Sequence, residues 1–204
     1  PEYGLLSEFA MIAADLDHDH KDEIVYAVSS PYSSSTLVRT AQKDGTVKDI
    51  AALEGALWIF AQSGLTAGNL DTDPQLEIVI GLDRFFSRTG DEGIVYALDH
   101  NGSLLPGWPR DTGLHYLAAN SPVLADFDGD GQTEIMINTY SSILAYIIGY
   151  MDATMYIWNA DGTVMDGFPK ASRHQALFNP AIGDIDSDGD LDAVFTVRSR
   201  LSVD

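Results

Sequence analysis

Asp126-Phe127-Asp128-Gly129-Asp130-Gly131-Gln132-Thr133-Glu134, followed directly by Ile135-Met136-Ile137, places carboxylates at positions 1, 3, 5 and 9 of a glycine-bearing loop and then enters an apolar run. Three other stretches fall into the same register: Asp15 to Glu23, Asn69 to Glu77 and Asp184 to Asp192. The four loops begin at Asp15, Asn69, Asp126 and Asp184, a nearly constant interval of the kind that marks propellers, solenoids and arrays. Position −1 is small every time (Ala14, Gly68, Ala125, Gly183), and each loop is followed by a β-rich run. These runs are Ile24 to Val28, Ile78-Val79-Ile80, Ile135-Met136-Ile137 and Ala193 to Val197. Continuously apolar strands of this length are buried on both faces.

Further along each period stand Asp44-Gly45, Asn101-Gly102 and Asp161-Gly162, dipeptides suited to type I′ hairpin turns because both central residues need positive φ. Strand-like sequence precedes each turn, as in Ile94 to Leu98 and Met155 to Trp158, and a short strand follows, as in Thr163-Val164-Met165. One unit therefore reads as strand, acidic loop, strand, variable linker, strand, tight turn, strand. Four antiparallel strands with apolar inner faces meet the needs of a β-propeller blade, which is covered by a neighbour on each side. The expected fold is all-β, with 1–204 as a single propeller region in approximate repeats 1–55, 56–112, 113–172 and an incomplete 173–204. The next Asp-Gly turn would fall beyond Asp204, so about three and a half blades are expected, the rest coming from a longer chain or a second copy. Ala51 to Gln62 has helix-like composition, but the period assigns it to the connection between units. The longest apolar run, Ile143 to Met151, reads as strand and is too short for a membrane span, which needs roughly 20 residues.

The loops predict calcium sites. Carboxylates at 1, 3 and 5 of a tight loop converge, position 7 adds a backbone carbonyl, and an acid at 9 closes a shell of hard oxygens. The candidate ligands are Asp15, Asp17, Asp19, Lys21 and Glu23; Asn69, Asp71, Asp73, Gln75 and Glu77; Asp126, Asp128, Asp130, Gln132 and Glu134; and Asp184, Asp186, Asp188, Asp190 and Asp192. An EF-hand would need Glu at position 12, where this chain has Tyr26, Ile80, Ile137 and Phe195. Up to four Ca²⁺ ions are expected. Gly131 and Gly189 at position 6 favour the third and fourth loops, while His20 reaches the left-handed region with more strain. The ring of Pro74 locks φ at a negative value and Asn69 removes a charge, which makes Asn69–Glu77 the weakest site.

The period, these loops and the elements Gly107-Trp108-Pro109 and Gly167-Phe168-Pro169 resemble FG-GAP/VCBS repeat proteins, the group that includes the integrin α-subunit propeller. The resemblance covers nearly the whole chain. The literal Phe-Gly and Gly-Ala-Pro words of the integrin version are absent, so the VCBS-like branch is the nearer match. It implies propellers commonly of seven blades, with calcium loops on one face and ligand-docking loops on the other. On that opposite face it would set Pro31 to Ser35, Asp83 to Glu92, Pro106 to Tyr116, Ser141 to Asp152 and Asp166 to Gln175. Trp108, Arg110, His115, Tyr116, Phe168, Lys170, Arg173 and His174 are the contact residues so implied, with loop packing as the alternative for each.

Eleven Lys+Arg against 31 Asp+Glu give a formal charge of −20, which repels nucleic acid and anionic membranes. The absence of cysteine removes disulfide and thiolate sites. No nucleophile elbow, zinc-helix motif or phosphate-binding loop occurs, and the five histidines do not cluster, so no enzyme activity is expected. The function expected is an extracellular, cell-surface or periplasmic calcium-binding propeller for adhesion, ligand binding or architecture, with a protein or glycan as partner. A lectin or a carbohydrate-active enzyme such as a polysaccharide lyase on the same scaffold stays open.

Overall fold

The computed structural model describes residues 7–29, 35–54, 64–87, 90–113, 115–117, 121–141, 153–172, 175–176, 180–195 and 197–198. All regular secondary structure among them is β-strand, and every pairing is antiparallel. The first sheet runs β1 (Ser7–Ala14), β2 (Glu23–Ser29), β3 (Ser35–Ala41) and β4 (Val47–Glu54), in sequence order. The second repeats it with β5 (Leu65–Gly68), β6 (Glu77–Ser87), β7 (Gly90–Leu98) and β8 (Arg110–Asp111). In the third, β9 (His115–Leu117) and β10 (Val123–Ala125) both pair with β11 (Glu134–Ser141), which is followed by β12 (Ala153–Trp158) and β13 (Lys170–Ser172). Two short ladders complete the described chain: β14 (Gln175–Ala176) with β17 (Val197–Arg198), and β15 (Ala181–Gly183) with β16 (Asp192–Val194). No helix among the described residues is long and apolar enough to cross a membrane.

The first strand of a unit repeatedly carries extra residues against its partner. Leu117 and Val123 are six apart, yet their partners Thr139 and Met136 are three apart. Ala176 and Ala181 face Val197 and Val194 in a similar offset, and β1 shifts register between Glu8 and Ala10. The shift in β1 is a bulge of the kind that sharpens the local twist.

Alternation along the middle strands explains the core. Ile78, Ile80 and Leu82 of β6 and Ile94, Tyr96 and Leu98 of β7 pack with Val25, Ala27, Val38 and Leu53 of the first sheet. Their alternates Val79, Val95 and Ala97 pack with Ile135, Ile137 and Trp158 of the third. The second sheet is thus buried on both faces, as its unbroken apolar runs require. Polar ties repeat at each interface: the Tyr96 hydroxyl donates to the Glu54 carbonyl (2.8 Å) and the Tyr156 hydroxyl to the Thr112 carbonyl (3.0 Å). The hairpin turn of the second unit also nestles on the sheet before it. Gly102 has φ +90°, and a β-carbon there would sit 2.0 Å from the Ile50 carbonyl oxygen. Gly68, the small residue before the second loop, has Leu124 Cδ1 only 2.7 Å from where its β-carbon would be.

Several expectations are corrected. Ala51 to Glu54 do not lie in a connection; they complete β4, where Leu53 is buried against the second sheet and a register shift at Val38/Arg39 carries the pairing past Asp49. Of Asp83 to Glu92, expected as a loop, Asp83 to Ser87 and Gly90 to Glu92 fall in β6 and β7, with Asp83 opposite Gly93 and Ser87 opposite Gly90; residues 88–89 lie outside the described residues. Within 106–116 and 166–175, residues Arg110–Asp111, His115–Leu117, Lys170–Ser172 and Gln175–Ala176 fall in strands. The fourth strand is broken in the second and third sheets: single bridges Leu98–Leu104 and Trp158–Val164 precede turns holding cis Trp108–Pro109 and Phe168–Pro169, and pairing resumes at β8 and β13. Residues 31–34 and 142–152, which include the whole Ile143 to Met151 run, lie outside the described residues.

Candidate metal centres

Each acidic loop joins the first strand of a unit to the second, and the ladder fixes its two ends. Position −1 pairs with position 9 in all four: Ala14 with Glu23, Gly68 with Glu77, Ala125 with Glu134, Gly183 with Asp192. The position-9 carboxylate then folds back to accept the N–H of position 2. Glu23 takes Leu16 N–H at 3.2 Å, Glu77 takes Leu70 at 2.6 Å, Glu134 takes Phe127 at 2.7 Å and Asp192 takes Ile185 at 2.9 Å.

The remaining acids organise the loop backbone. Asp15, Asp126 and Asp184 each accept the N–H groups of positions 5 and 6 at 2.8 to 3.1 Å. Asp17, Asp71, Asp128 and Asp186 accept from position 5, and Asp73, Asp130 and Asp188 accept from position 7. To aim successive N–H groups at one carboxylate, positions 4 and 6 both turn left-handed: His18 (φ 61°) and His20 (φ 68°), Gly129 (74°) and Gly131 (89°), Ser187 (64°) and Gly189 (99°). The sequence pattern points to that demand at position 6 alone. The second loop is built differently, since neither Thr72 nor Pro74 has positive φ and Asn69 donates its amide to the Asp73 carbonyl (2.5 Å).

The carboxylates converge all the same. Oxygen atoms of Asp15, Asp17 and Asp19; of Asp71, Asp73 and Glu77; of Asp126, Asp128 and Glu134; and of Asp184, Asp186 and Asp192 lie within 4.8 Å of one another in each group. That is a hard, anionic donor set suited to a divalent cation with oxygen preference. Glu77 supplies a further sign: the residue is 0% exposed, one carboxylate oxygen holds Leu70, and Oε1 has no hydrogen-bond partner. A buried, unsatisfied carboxylate oxygen beside two more carboxylates is expensive unless a cation meets it. Lys21 acts against the first loop, because its ammonium lies 2.6 Å from Asp19 Oδ2. Gln132 donates to Asp130 at 2.9 Å, and the Asp190 backbone N–H donates to Asp188.

Burial is the main force pushing Glu23, Glu77 and Glu134 above the usual carboxylate range; repulsion from the neighbouring Asp carboxylates adds to it, and the backbone N–H groups partly offset it. Folding of the ion-free chain thus takes up protons on these groups, which favours the native state below the ordinary carboxylate value and loses that stabilisation as pH rises through the raised one. Asp19, Asp44 and Asp161 shift downward through bonds to Lys21, Thr46 and Thr163, but they are exposed and solvent-screened. In chelator, the melting temperature followed by circular dichroism is expected to rise as pH falls from 7 toward 5. A Glu77→Gln, Glu134→Gln double variant should show a flatter rise, and an unchanged slope would refute the account.

The candidate ligand-contact residues are placed less coherently. Trp108 is 7% exposed; its indole N–H donates to the Ala160 carbonyl at 2.8 Å and its ring meets Trp158 edge-on at 6.0 Å, inside the second interface. Arg110 is half-buried beside Gly162 and helps hold Asp161 below its usual range. Phe168 is half-buried with the Lys170 ammonium 4.7 Å from its ring centre. His115 and Tyr116 belong to β9 by their backbone, and Arg173 and His174 lie outside the described residues. No family model matches the chain, and no curated protein does.

Proposed function

We propose that the chain is a run of β-propeller blades, akin to FG-GAP/VCBS repeats, whose four acidic loops bind calcium as part of the fold. The observation that carries this is recurrence: three converging carboxylates at the junction of first and second strands in each of four loops, at positions 1, 3 and 9 in the third and fourth, 3, 5 and 9 in the second and 1, 3 and 5 in the first, with the same position-9 to position-2 hydrogen bond in all four. Calcium suits it better than magnesium, because it accepts six to eight oxygens in flexible geometry, whereas magnesium demands a near-octahedral shell and keeps its waters. Exposed loops of this kind have affinities matched to the millimolar calcium outside cells, so we place the protein in an extracellular, cell-surface or periplasmic setting. There the stacked sheets serve as an adhesion, ligand-binding or architectural module.

Equilibrium dialysis with radioactive calcium tests this directly. Close to four ions per chain are expected. The third and fourth loops should fill first, the first loop later because Lys21 neutralises Asp19, and the second last because Asn69 replaces a carboxylate and Pro74 withholds the left-handed turn. Asp128→Ala should remove one ion from the tight class. No uptake at millimolar calcium, or equal uptake of magnesium, would overturn the proposal.

A further inference from the structure

Two of the four acidic loops are joined through their backbones. The carbonyl of Leu16, at position 2 of the first loop, accepts the N–H of Leu76, at position 8 of the second, at 3.1 Å. Leu16 is 2% exposed and belongs to the apolar cluster against which Leu76, Ala14 and Ala67 pack. Among the described residues no other two acidic loops share a backbone hydrogen bond. At the next junction Leu70, the counterpart of Leu16, lies in the cluster that Leu124 packs against, with no backbone bond to the third loop.

Both ends of that bond are tied to converging carboxylates. Leu16 stands between Asp15 and Asp17, two of the three acids gathered in the first loop, and its own N–H is held by Glu23 Oε2 at 3.2 Å. Leu76 directly precedes Glu77, which converges with Asp71 and Asp73, is 0% exposed and keeps Oε1 without a hydrogen-bond partner. The bond between them lasts only while both loops hold their shape. An ion that orders one loop therefore sets part of the frame of the other, and a second ion that meets a segment already ordered is spared that part of the entropy cost.

We propose that the first and second loops take up their ions cooperatively through the Leu16–Leu76 bond, and that the third loop has no such share in the second. The inference rests on the reading above that these loops bind calcium, and it adds how one site regulates another. Linkage makes the effect reciprocal: loss of either ion lowers the affinity of the neighbouring loop by the same factor. A single backbone hydrogen bond corresponds to about a two- to tenfold change in affinity. The second loop, lacking a carboxylate at Asn69 and a left-handed turn at Pro74, thus gains from the loop before it part of what its own residues do not provide.

Two-dimensional NMR of the isotope-labelled full chain during a calcium titration reads each loop by its own amides: Asp19 and His20 in the first, Asp73 and Gln75 in the second, Gly131 in the third. An Asp15→Asn, Asp17→Asn double variant is expected to weaken filling of the second loop by about two- to tenfold, and Asp71→Asn, Asp73→Asn to weaken the first by the same factor. Asp128→Asn, Asp130→Asn in the third loop removes equal charge on the other side of the second and should weaken it clearly less. An equal loss from that side would make the effect one of charge alone and overturn the proposal, as would unequal factors in the two directions or no change in either. Should the variants fold poorly, hydrogen exchange on the unsubstituted protein decides: the Leu76 amide gains protection in step with Asp19 and His20, ahead of Gln75. Protection of Leu76 only in step with Gln75 refutes the coupling. Loops that fill independently leave the calcium assignment standing, whereas amides that ignore millimolar calcium in every loop overturn both readings.

Discussion

Transfer of calcium-loaded protein into excess EGTA is expected to lower its melting temperature by about 10 °C or more, from the following sum. A ligand at 100 times its Kd stabilises the native state by about 2.7 kcal/mol per site, and in a chain of this size each kcal/mol is worth about 2–4 °C. One well-filled loop thus accounts for about 5–10 °C, and several loops for more. Removal of the ion leaves carboxylates within 4.8 Å of one another in every loop, and leaves Glu77 Oε1 buried without any partner. Sodium chloride at high concentration controls for general screening of the −20 charge; it weakens repulsion among the exposed carboxylates but supplies no divalent ion to coordinate them, so it should restore only part of the loss. Identical melting curves in calcium and in EGTA would remove the loops from any structural role.

Trp158→Ala is expected to destabilise the protein by about 3–5 kcal/mol, the range for truncating a large buried aromatic. Trp158 is 2% exposed, stacks on Tyr156 at 4.9 Å with 8° between planes, and meets Trp108 edge-on. Its removal opens a cavity between the second and third sheets and deprives Trp108 of its aromatic neighbour. Phenylalanine at the same position should recover part of the loss. A change below about 1 kcal/mol would mean that the two sheets do not depend on this contact. The ion count should stay the same, since Trp158 contributes no donor to any loop.

The strands that follow the acidic loops are legible in the sequence because two independent signals coincide there, a fixed period and unbroken apolar runs. The bounds of the loops are legible too, and Pro74 and Asn69 mark the one whose backbone departs from the other three. Other features are hidden for identifiable reasons. Ala51 to Glu54 carry weak β propensity and become strand through pairing with Ser35 to Val38, which only tertiary structure supplies. The resemblance implies a loop over Asp83 to Glu92, yet cross-strand pairing extends β6 to Ser87 and starts β7 at Gly90. The left-handed turn at position 4 escapes a reading by residue type, because His18, Gly129 and Ser187 share none. What they share is the carboxylate at position 1, which draws in the N–H groups that follow. Tyr96 and Tyr156, one period apart, are a visible repeat whose meaning as ties between sheets needs coordinates.

The position-9 acid is the first rung of the second strand, opposite position −1, and in the second, third and fourth loops it is also one of the converging carboxylates. Sliding that strand by one residue would turn the acid to the opposite side of the sheet and carry it out of reach of its companions. Under the proposed cation binding, an occupied loop would act as a proofreader during assembly: the cation would reward the correct alignment of its hairpin, in the three loops whose position-9 acid joins the convergent group.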